Sequence, residues 1–187
     1  RGANFTSADA IVMFESAEKK KQVVLIEWKY TESYSGNSLK VSNRGTDRTK
    51  IYEHLFIRPD CPIENKLLPD FSDLFYEPFY QFMRQQFLAH EMEKANELGA
   101  DVVSVLHIAP ACNADFRKIT SPHLQHLGDT ATEVWKKLIK EESRFISIST
   151  ESLFGGLFDY EMQEMNNWKK YIASRYRWMV KNRRGGS

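Results

Sequence analysis

The chemistry that this sequence could perform is concentrated in two acids and a lysine near its start. Asp9 begins one apolar stretch (9–15), and Glu27-Trp28-Lys29 lies near the end of a second (22–30). The short polar link between the stretches predicts an antiparallel β-hairpin. If the turn is centred near Glu18, paired residue numbers sum to 36. Asp9 then faces Glu27, and Lys29 projects to the same face of the hairpin.

This cluster of charges predicts a site for a divalent cation. Two facing carboxylates repel each other at neutral pH, and Lys29 supplies only one compensating charge. Mg²⁺ prefers oxygen ligands and usually takes one or two protein carboxylates. Asp9 and Glu27 are therefore the expected metal ligands, and the backbone carbonyl of Trp28 is a third. A bound Mg²⁺ or Mn²⁺ would activate a water, with Lys29 positioned to assist, which predicts hydrolysis of a phosphodiester.

An Asp followed by Glu-x-Lys at the end of an apolar strand resembles the PD-(D/E)xK nuclease superfamily. The segments 6–10 and 25–32 look like a bacterial restriction-endonuclease-like branch of it, as do 78–90 and the strand ending at 107–110. The resemblance spans roughly residues 1–115. It implies an α/β restriction-endonuclease-like fold, in which a central mixed β-sheet is flanked by α-helices.

The resemblance also implies roles for individual residues. Asp9 and Glu27 correspond to metal ligands and Lys29 to the catalytic lysine. The superfamily often adds a helical glutamine, for which Gln85 is the candidate, with Gln81 one turn earlier. Ala8 replaces the proline of the superfamily's name. Many members also carry an acid on a helix before the hairpin, and we expect such residues upstream of Arg1.

Helical patterns and turn residues predict the elements that surround the hairpin. A basic loop is expected over 33–50, with Lys40, Arg44, Arg48 and Lys50, followed by a helix that is capped by Thr46 or Asp47 and ends near Phe56. A longer helix is expected over 71–98, restarted or kinked at Pro78 and ended by Gly99. Strands are expected at 101–109 and 144–149, and further helices over 130–140 and 158–179. Both hairpin strands are apolar on both faces, which predicts that helices cover both sides of the sheet.

Composition limits the class of protein. The 187 residues suit one domain, 1–182, followed by a flexible tail or cloning remnant at 183–187. The net charge of +1 excludes a histone-like protein that binds nucleic acid by bulk charge. No apolar run reaches the length of a transmembrane helix, and no signal peptide is visible. Two cysteines form no disulfide framework, so reduced thiols and a cytoplasmic location are expected.

The patterns leave several alternatives open. The acids and the lysine could form a structural ion pair, and the helical turn with Gln81, Arg84, Gln85 and Gln86 could be a solvated face. His123 and His126 are expected to be surface residues, and His107 a core or edge histidine. The favoured function is a DNA endonuclease in bacterial defence or genome processing, for which double-strand cleavage would favour a homodimer. The alternatives are a catalytically inactive DNA-binding or assembly subunit of the same fold and an unrelated α/β interaction domain.

Overall fold

A four-stranded mixed sheet forms the centre of the protein. In the computed structural model, which describes residues 6–159 and 163–176, the spatial order of the strands is β1-β2-β3-β4. Their bounds are β1 Ala10–Glu15, β2 Lys21–Trp28, β3 Val102–Ala109 and β4 Phe145–Ser149. β1 is antiparallel to β2, whereas β2, β3 and β4 are mutually parallel. The predicted tail, 183–187, lies outside the described residues.

Helices cover the sheet and connect its parallel strands. They are α1 Thr49–Phe56, α2 Phe79–Lys94, α3 Ala131–Leu138, α4 Thr150–Asp159 and α5 Asn166–Arg175. Short 3₁₀ helices occupy Asn65–Leu67, Phe71–Leu74, Glu97–Gly99, Asp115–Arg117, Pro122–Leu127, Glu142–Arg144 and Gln163–Met165. α2 packs against β3 and α3, and α4 packs against β3 and β4. The predicted α/β architecture, a mixed sheet flanked by helices, is confirmed.

The main core lies between the sheet and α2 with α3. Val23 and Leu25 from β2 are fully buried there, as are Phe82 from α2 and Trp135 from α3. Alternation along β2 explains this burial, because every second side chain faces the same helices. Glu27 lies two residues after Leu25, so the same alternation places its side chain on the buried side of the sheet.

The second half of the predicted 71–98 helix is shorter than expected. Pro78 does restart the helix: a 3₁₀ turn precedes it and α2 begins at Phe79. However, α2 ends at Lys94 rather than at Gly99. Asn96 and Leu98 adopt positive φ angles of 49° and 59°, and this left-handed backbone turns the chain toward β3 before Gly99 is reached.

The prediction of one long helix over 158–179 is wrong. α4 starts earlier, at Thr150, and α5 is a separate helix from Asn166. Phe158 and Trp168 would stand about 15 Å apart along a continuous helix, whereas their ring centroids are 6.4 Å apart. Two helices instead bring their aromatic residues together on the Trp28 side of the sheet. Met162 and Met179, also assigned to this helix, lie outside the described residues.

The strand β1 differs from the expectation that both hairpin strands are covered. All six of its residues are exposed, and Ile11 and Met13 are each about half exposed. β1 is the edge strand of the sheet, and α2 lies over β3 rather than over this edge. The apolar pattern of β1 therefore does not correspond to burial within the described chain.

Three further expectations concern the start of α1, the cysteines and membrane-spanning helices. The Asp47 carboxylate accepts the Thr49 N–H at 3.0 Å, so it supports the start of α1 from two residues away. Both cysteines are free; Cys61 is buried and Cys112 exposed. Among the helices of residues 6–159 and 163–176, none is both long and apolar enough to cross a membrane.

Candidate active site

The hairpin register follows the prediction along the whole of β1. Ala10 pairs with Ile26, Ile11 with Leu25 and Met13 with Val23, so paired numbers sum to 36. The pairing stops at Ala10. The Asp9 N–H donates to the Ile26 carbonyl at 2.9 Å, and the Asp9 carboxylate accepts the Trp28 N–H at 2.8 Å. Asp9 is thus not a ladder partner of Glu27. Its side chain instead accepts a hydrogen bond from the backbone of Trp28, one residue after Glu27.

Asp9 and Glu27 nevertheless line the same small cavity. Its volume is about 120 Å³, and Gln81, Arg84 and Gln85 from α2 contribute to its wall. The cavity therefore lies where the start of β1 and the end of β2 meet the first turns of α2. Two carboxylates and one guanidinium share a space of the size that a hydrated ion or one phosphate group would fill.

The carboxylate of Glu27 receives three hydrogen bonds. Lys29 Nζ donates to Oε1 at 2.7 Å, and Gln81 Nε2 donates to the same oxygen at 2.6 Å. Gln85 Nε2 donates to Oε2 at 2.7 Å. Glu27 is only 6% exposed, so these donors replace the water that a buried carboxylate loses. The predicted placement of Lys29 beside Glu27 is confirmed.

The helix α2 supplies these amides because of its spacing. Gln81 and Gln85 are four residues apart, which places them on one face of the helix, above the sheet. The alternative of a solvated helix face is wrong for this turn, since Gln85 is 1% exposed and Gln86 is also buried. Arg84 lies beside them, with its guanidinium 5.4 Å from the centroid of the Tyr80 ring.

His107 joins the site from the neighbouring strand. In the parallel register it is the partner of Glu27, and its side chain is fully buried. Its Nε2 lies 2.6 Å from Gln85 Oε1. Burial, followed by the positive charge of Lys29, lowers the pKa of His107 to about 3, so the ring is neutral at pH 7. The interpretation of a core histidine is confirmed, but its link to Gln85 was not foreseen.

A second acid near Lys29, Glu77, was not predicted from the sequence. Glu77 precedes α2, and burial raises the pKa of its carboxyl group against the lowering effects of the Gln81 N–H and of Lys29. The pKa of the Tyr34 hydroxyl is raised by burial and then by Glu77, Glu32 and Glu27. Nothing in the sequence near Glu77 signals this position, since only the packing of α2 brings it toward Lys29. A polar residue at position 107 within an apolar strand was the available signal for His107.

The donor set fits a hard divalent cation with few protein ligands. Within the described part of the chain, no three His, Cys, Asp or Glu side chains are grouped as metal ligands. Two carboxylates line the cavity, and the second oxygen of Asp9 accepts no hydrogen bond from any described residue. The N–H and C=O of one strand residue point to the same side. Strand geometry therefore puts the Trp28 carbonyl on the same edge of β2 as its N–H, which donates to Asp9, and a carbonyl oxygen suits Mg²⁺ as a ligand.

The other candidate residues lie elsewhere. His123 is exposed and its Nδ1 lies 2.9 Å from the Asp73 carboxylate, and His126 is exposed as well. Both match the expected surface positions. Arg48 of the basic loop reaches the site region, with its guanidinium 5.6 Å from the Tyr80 ring centroid. Arg48 and Arg84 therefore both contact the same tyrosine at the start of α2.

A four-stranded mixed sheet flanked by helices is consistent with a restriction-endonuclease-like fold. The chain matches a family model described as "Restriction Endonuclease associating with ARP" over residues 1–177. The chain belongs to this family, and membership indicates a nuclease in general terms. No curated protein and no solved structure matches the chain.

Proposed function

We propose that this protein is a metal-dependent nuclease of the PD-(D/E)xK type that hydrolyses DNA phosphodiester bonds. The observation that carries the proposal is the shared cavity, where Asp9, Glu27 and Arg84 meet. Carboxylates can hold a divalent cation, and a guanidinium can bind a phosphate oxygen. Together these groups could bind a cation and the phosphate that the cation would contact.

The roles of the residues follow from their contacts. Asp9, Glu27 and the Trp28 carbonyl would hold Mg²⁺ or Mn²⁺, which would polarise a phosphoryl oxygen and activate a bound water. Gln81 and Gln85 orient the Glu27 carboxylate through their amide donors. Lys29 keeps its ammonium 2.7 Å from Glu27, where it can orient the attacking water and offset charge that develops on the phosphate.

The substrate is proposed to be DNA, held mainly through its backbone. Arg84 lines the cavity, and Arg48 reaches the same Tyr80 ring from the basic loop. Arginine contacts to phosphate position a nucleic acid without reading its sequence. Lys40 and Arg44 lie in the same loop, and Lys50 lies in the first turn of α1, so further basic residues are available nearby in the chain. The family description supports an endonuclease, and we propose a role in bacterial defence or genome processing.

One observation gives the inactive-subunit alternative some support. Glu27 already forms an ion pair with Lys29 and accepts two amide donors. Such a carboxylate is satisfied without a metal, as it would be in a DNA-binding or assembly subunit. Cation binding distinguishes the two functions, since an inactive subunit has no need of it.

The test measures Mn²⁺ binding by calorimetry, then cleavage of plasmid, linear duplex, single-stranded DNA and RNA with Mg²⁺, Mn²⁺ or EDTA. Wild type should bind Mn²⁺ and cut DNA only with metal. Asp9→Asn and Glu27→Gln should lose both properties. Glu15→Gln is the matched control, because it removes an exposed carboxylate from the same hairpin and should change neither. Absence of Mn²⁺ binding together with uncut DNA would overturn the proposal.

A further inference from the structure

A chain of hydrogen bonds crosses three elements behind the candidate metal carboxylate. It starts at His107 on β3, continues through Gln85 on α2 and ends at Glu27 on β2. His107 Nε2 is 2.6 Å from Gln85 Oε1, and Gln85 Nε2 is 2.7 Å from Glu27 Oε2. His107 is fully buried and Gln85 is almost fully buried, so water does not compete for these groups.

The chemistry of the three side chains fixes the direction of the chain. An ionised carboxylate only accepts hydrogen bonds, so Gln85 must present its NH₂ group to Glu27. Its carbonyl oxygen then faces His107, and two facing acceptors would repel. His107 must therefore carry its proton on Nε2 and donate it to Gln85. The opposite tautomer would reverse the amide and set the Gln85 oxygen against the Glu27 carboxylate.

The surroundings of His107 give its ring no other polar role. Phe82, Phe116 and Phe145 pack around it, with the Phe82 ring centroid 4.7 Å away. Its Nδ1 is buried and has no hydrogen-bond partner among the described residues. An apolar side chain would fill this aromatic environment without the cost of burying an unpaired nitrogen. The bond to Gln85 is the contact that distinguishes histidine from such a residue.

We propose that His107 is a positioning residue that holds Glu27 in its metal-binding orientation by fixing the Gln85 amide. This rests on the proposed function, since it assigns Glu27 as a metal ligand. His107 touches neither metal nor substrate. Loss of its donor would let the Gln85 amide rotate, and Glu27 Oε2 would lose its fixed partner. Removing a group bonded directly to a metal ligand typically weakens metal affinity about tenfold to hundredfold. His107 acts one bond further out, through Gln85.

Two substitutions separate the hydrogen bond from packing. His107→Leu keeps an apolar group of similar size and removes the donor, whereas His107→Gln places an amide N–H near the position of Nε2. We expect His107→Leu to weaken Mn²⁺ binding without DNA about tenfold, the lower end of the range for direct partners, because it acts on Glu27 through Gln85. It should also lower kcat with little change in KM. His107→Gln should recover most of both, and His126→Leu, at an exposed histidine, should match wild type.

Metal-free nitrogen NMR of His107 tests the chain without any reference to activity. Wild type should show the proton on Nε2 at pH 7, and Gln85→Leu should shift that signal. A proton on Nδ1 would overturn the proposal. Equal losses of Mn²⁺ affinity in His107→Leu and His107→Gln, with both variants folded, would also overturn it, since packing alone would then explain them. If wild type binds no Mn²⁺ and cuts no DNA, the proposed nuclease function is wrong. The positioning of a metal ligand by His107 is then wrong as well, even where the NMR shows the hydrogen bond to Gln85.

Discussion

Two of the lysine–glutamate ion pairs of the hairpin are almost equal in length but differ in their surroundings. Lys19 and Glu15 are 2.9 Å apart at the turn, where their side chains are 83% and 59% exposed. Lys29 and Glu27 are 2.7 Å apart at the open end, where the same values are 12% and 8%. Exposed pairs contribute little, because water and salt screen them. The surroundings of each ion pair in this hairpin therefore depend on whether a helix covers it.

The surroundings differ because α2 covers only one of the two pairs. Gln81 and Gln85 reach from α2 to Glu27, and His107 supports Gln85 from β3. Glu15 has no such partners among the described residues and bonds only to Lys19. The same two residue types thus form a solvated contact at one end of the hairpin and a preorganised site at the other.

The largest expected difference is in catalysis. Lys29→Ala removes the ammonium beside the proposed metal ligand and should lower kcat at least about a hundredfold, as loss of a preorganised charge does in other enzymes. Lys19→Ala, the matched change at the exposed pair, should leave kcat unchanged. Initial rates of plasmid cleavage in Mg²⁺ measure both. Near-normal cleavage by Lys29→Ala would contradict the role given to this lysine.

The next difference is in stability. Glu27→Ala leaves the Lys29 charge and two amide groups without their acceptor in a buried region, and should lower the free energy of unfolding by about 3 kcal/mol. Glu15→Ala should cause no measurable change, because its pair is exposed. Urea unfolding without metal measures both variants. Equal effects would show that the two pairs have equivalent surroundings.

A smaller expected effect, on the pH dependence of stability, tests whether water reaches the buried His107. The pKa of His107 falls from 6.5 to about 3, through burial and then the charge of Lys29. Below pH 6.5 the imidazole of His107 is protonated in the unfolded chain but stays neutral in the folded chain. The free energy of unfolding therefore decreases as the pH is lowered. The contribution of this group is full above pH 6.5 and should shrink by about 2 kcal/mol by pH 5.

Urea unfolding across this pH range isolates the contribution of His107. The difference between wild type and His107→Gln removes the shared effect of the carboxyl groups. His126→Gln, a change at an exposed histidine, is the matched control. A difference for His107→Gln that stays constant from pH 7 to pH 5 would mean that water reaches His107.

Local patterns predicted the fold well where contacts are short in sequence. The hairpin register followed from the length of one polar link, and the start of α3 from Thr130, whose side chain accepts the Glu133 N–H. The patterns failed where distant residues decide. The helix over 158–179 proved to be two helices packed on Trp28, and β1 proved exposed although its sequence suits a buried strand.

Asp9, Glu27 and Lys29 could be proposed from the sequence because strand alternation and a hairpin place them within a few residues of one another. Gln81 and Gln85 could be proposed only through the family resemblance, and spacing gave neither their bonds to Glu27 nor the support from His107. Gln85 is 58 residues from Glu27, and His107 is 22 from Gln85. Spacing within one element cannot say which face of a distant helix or strand will meet the hairpin. The sequence therefore specified the candidate groups. The packing of α2 and β3 set how Glu27 is held, because its orientation depends on contacts that only the folded chain makes.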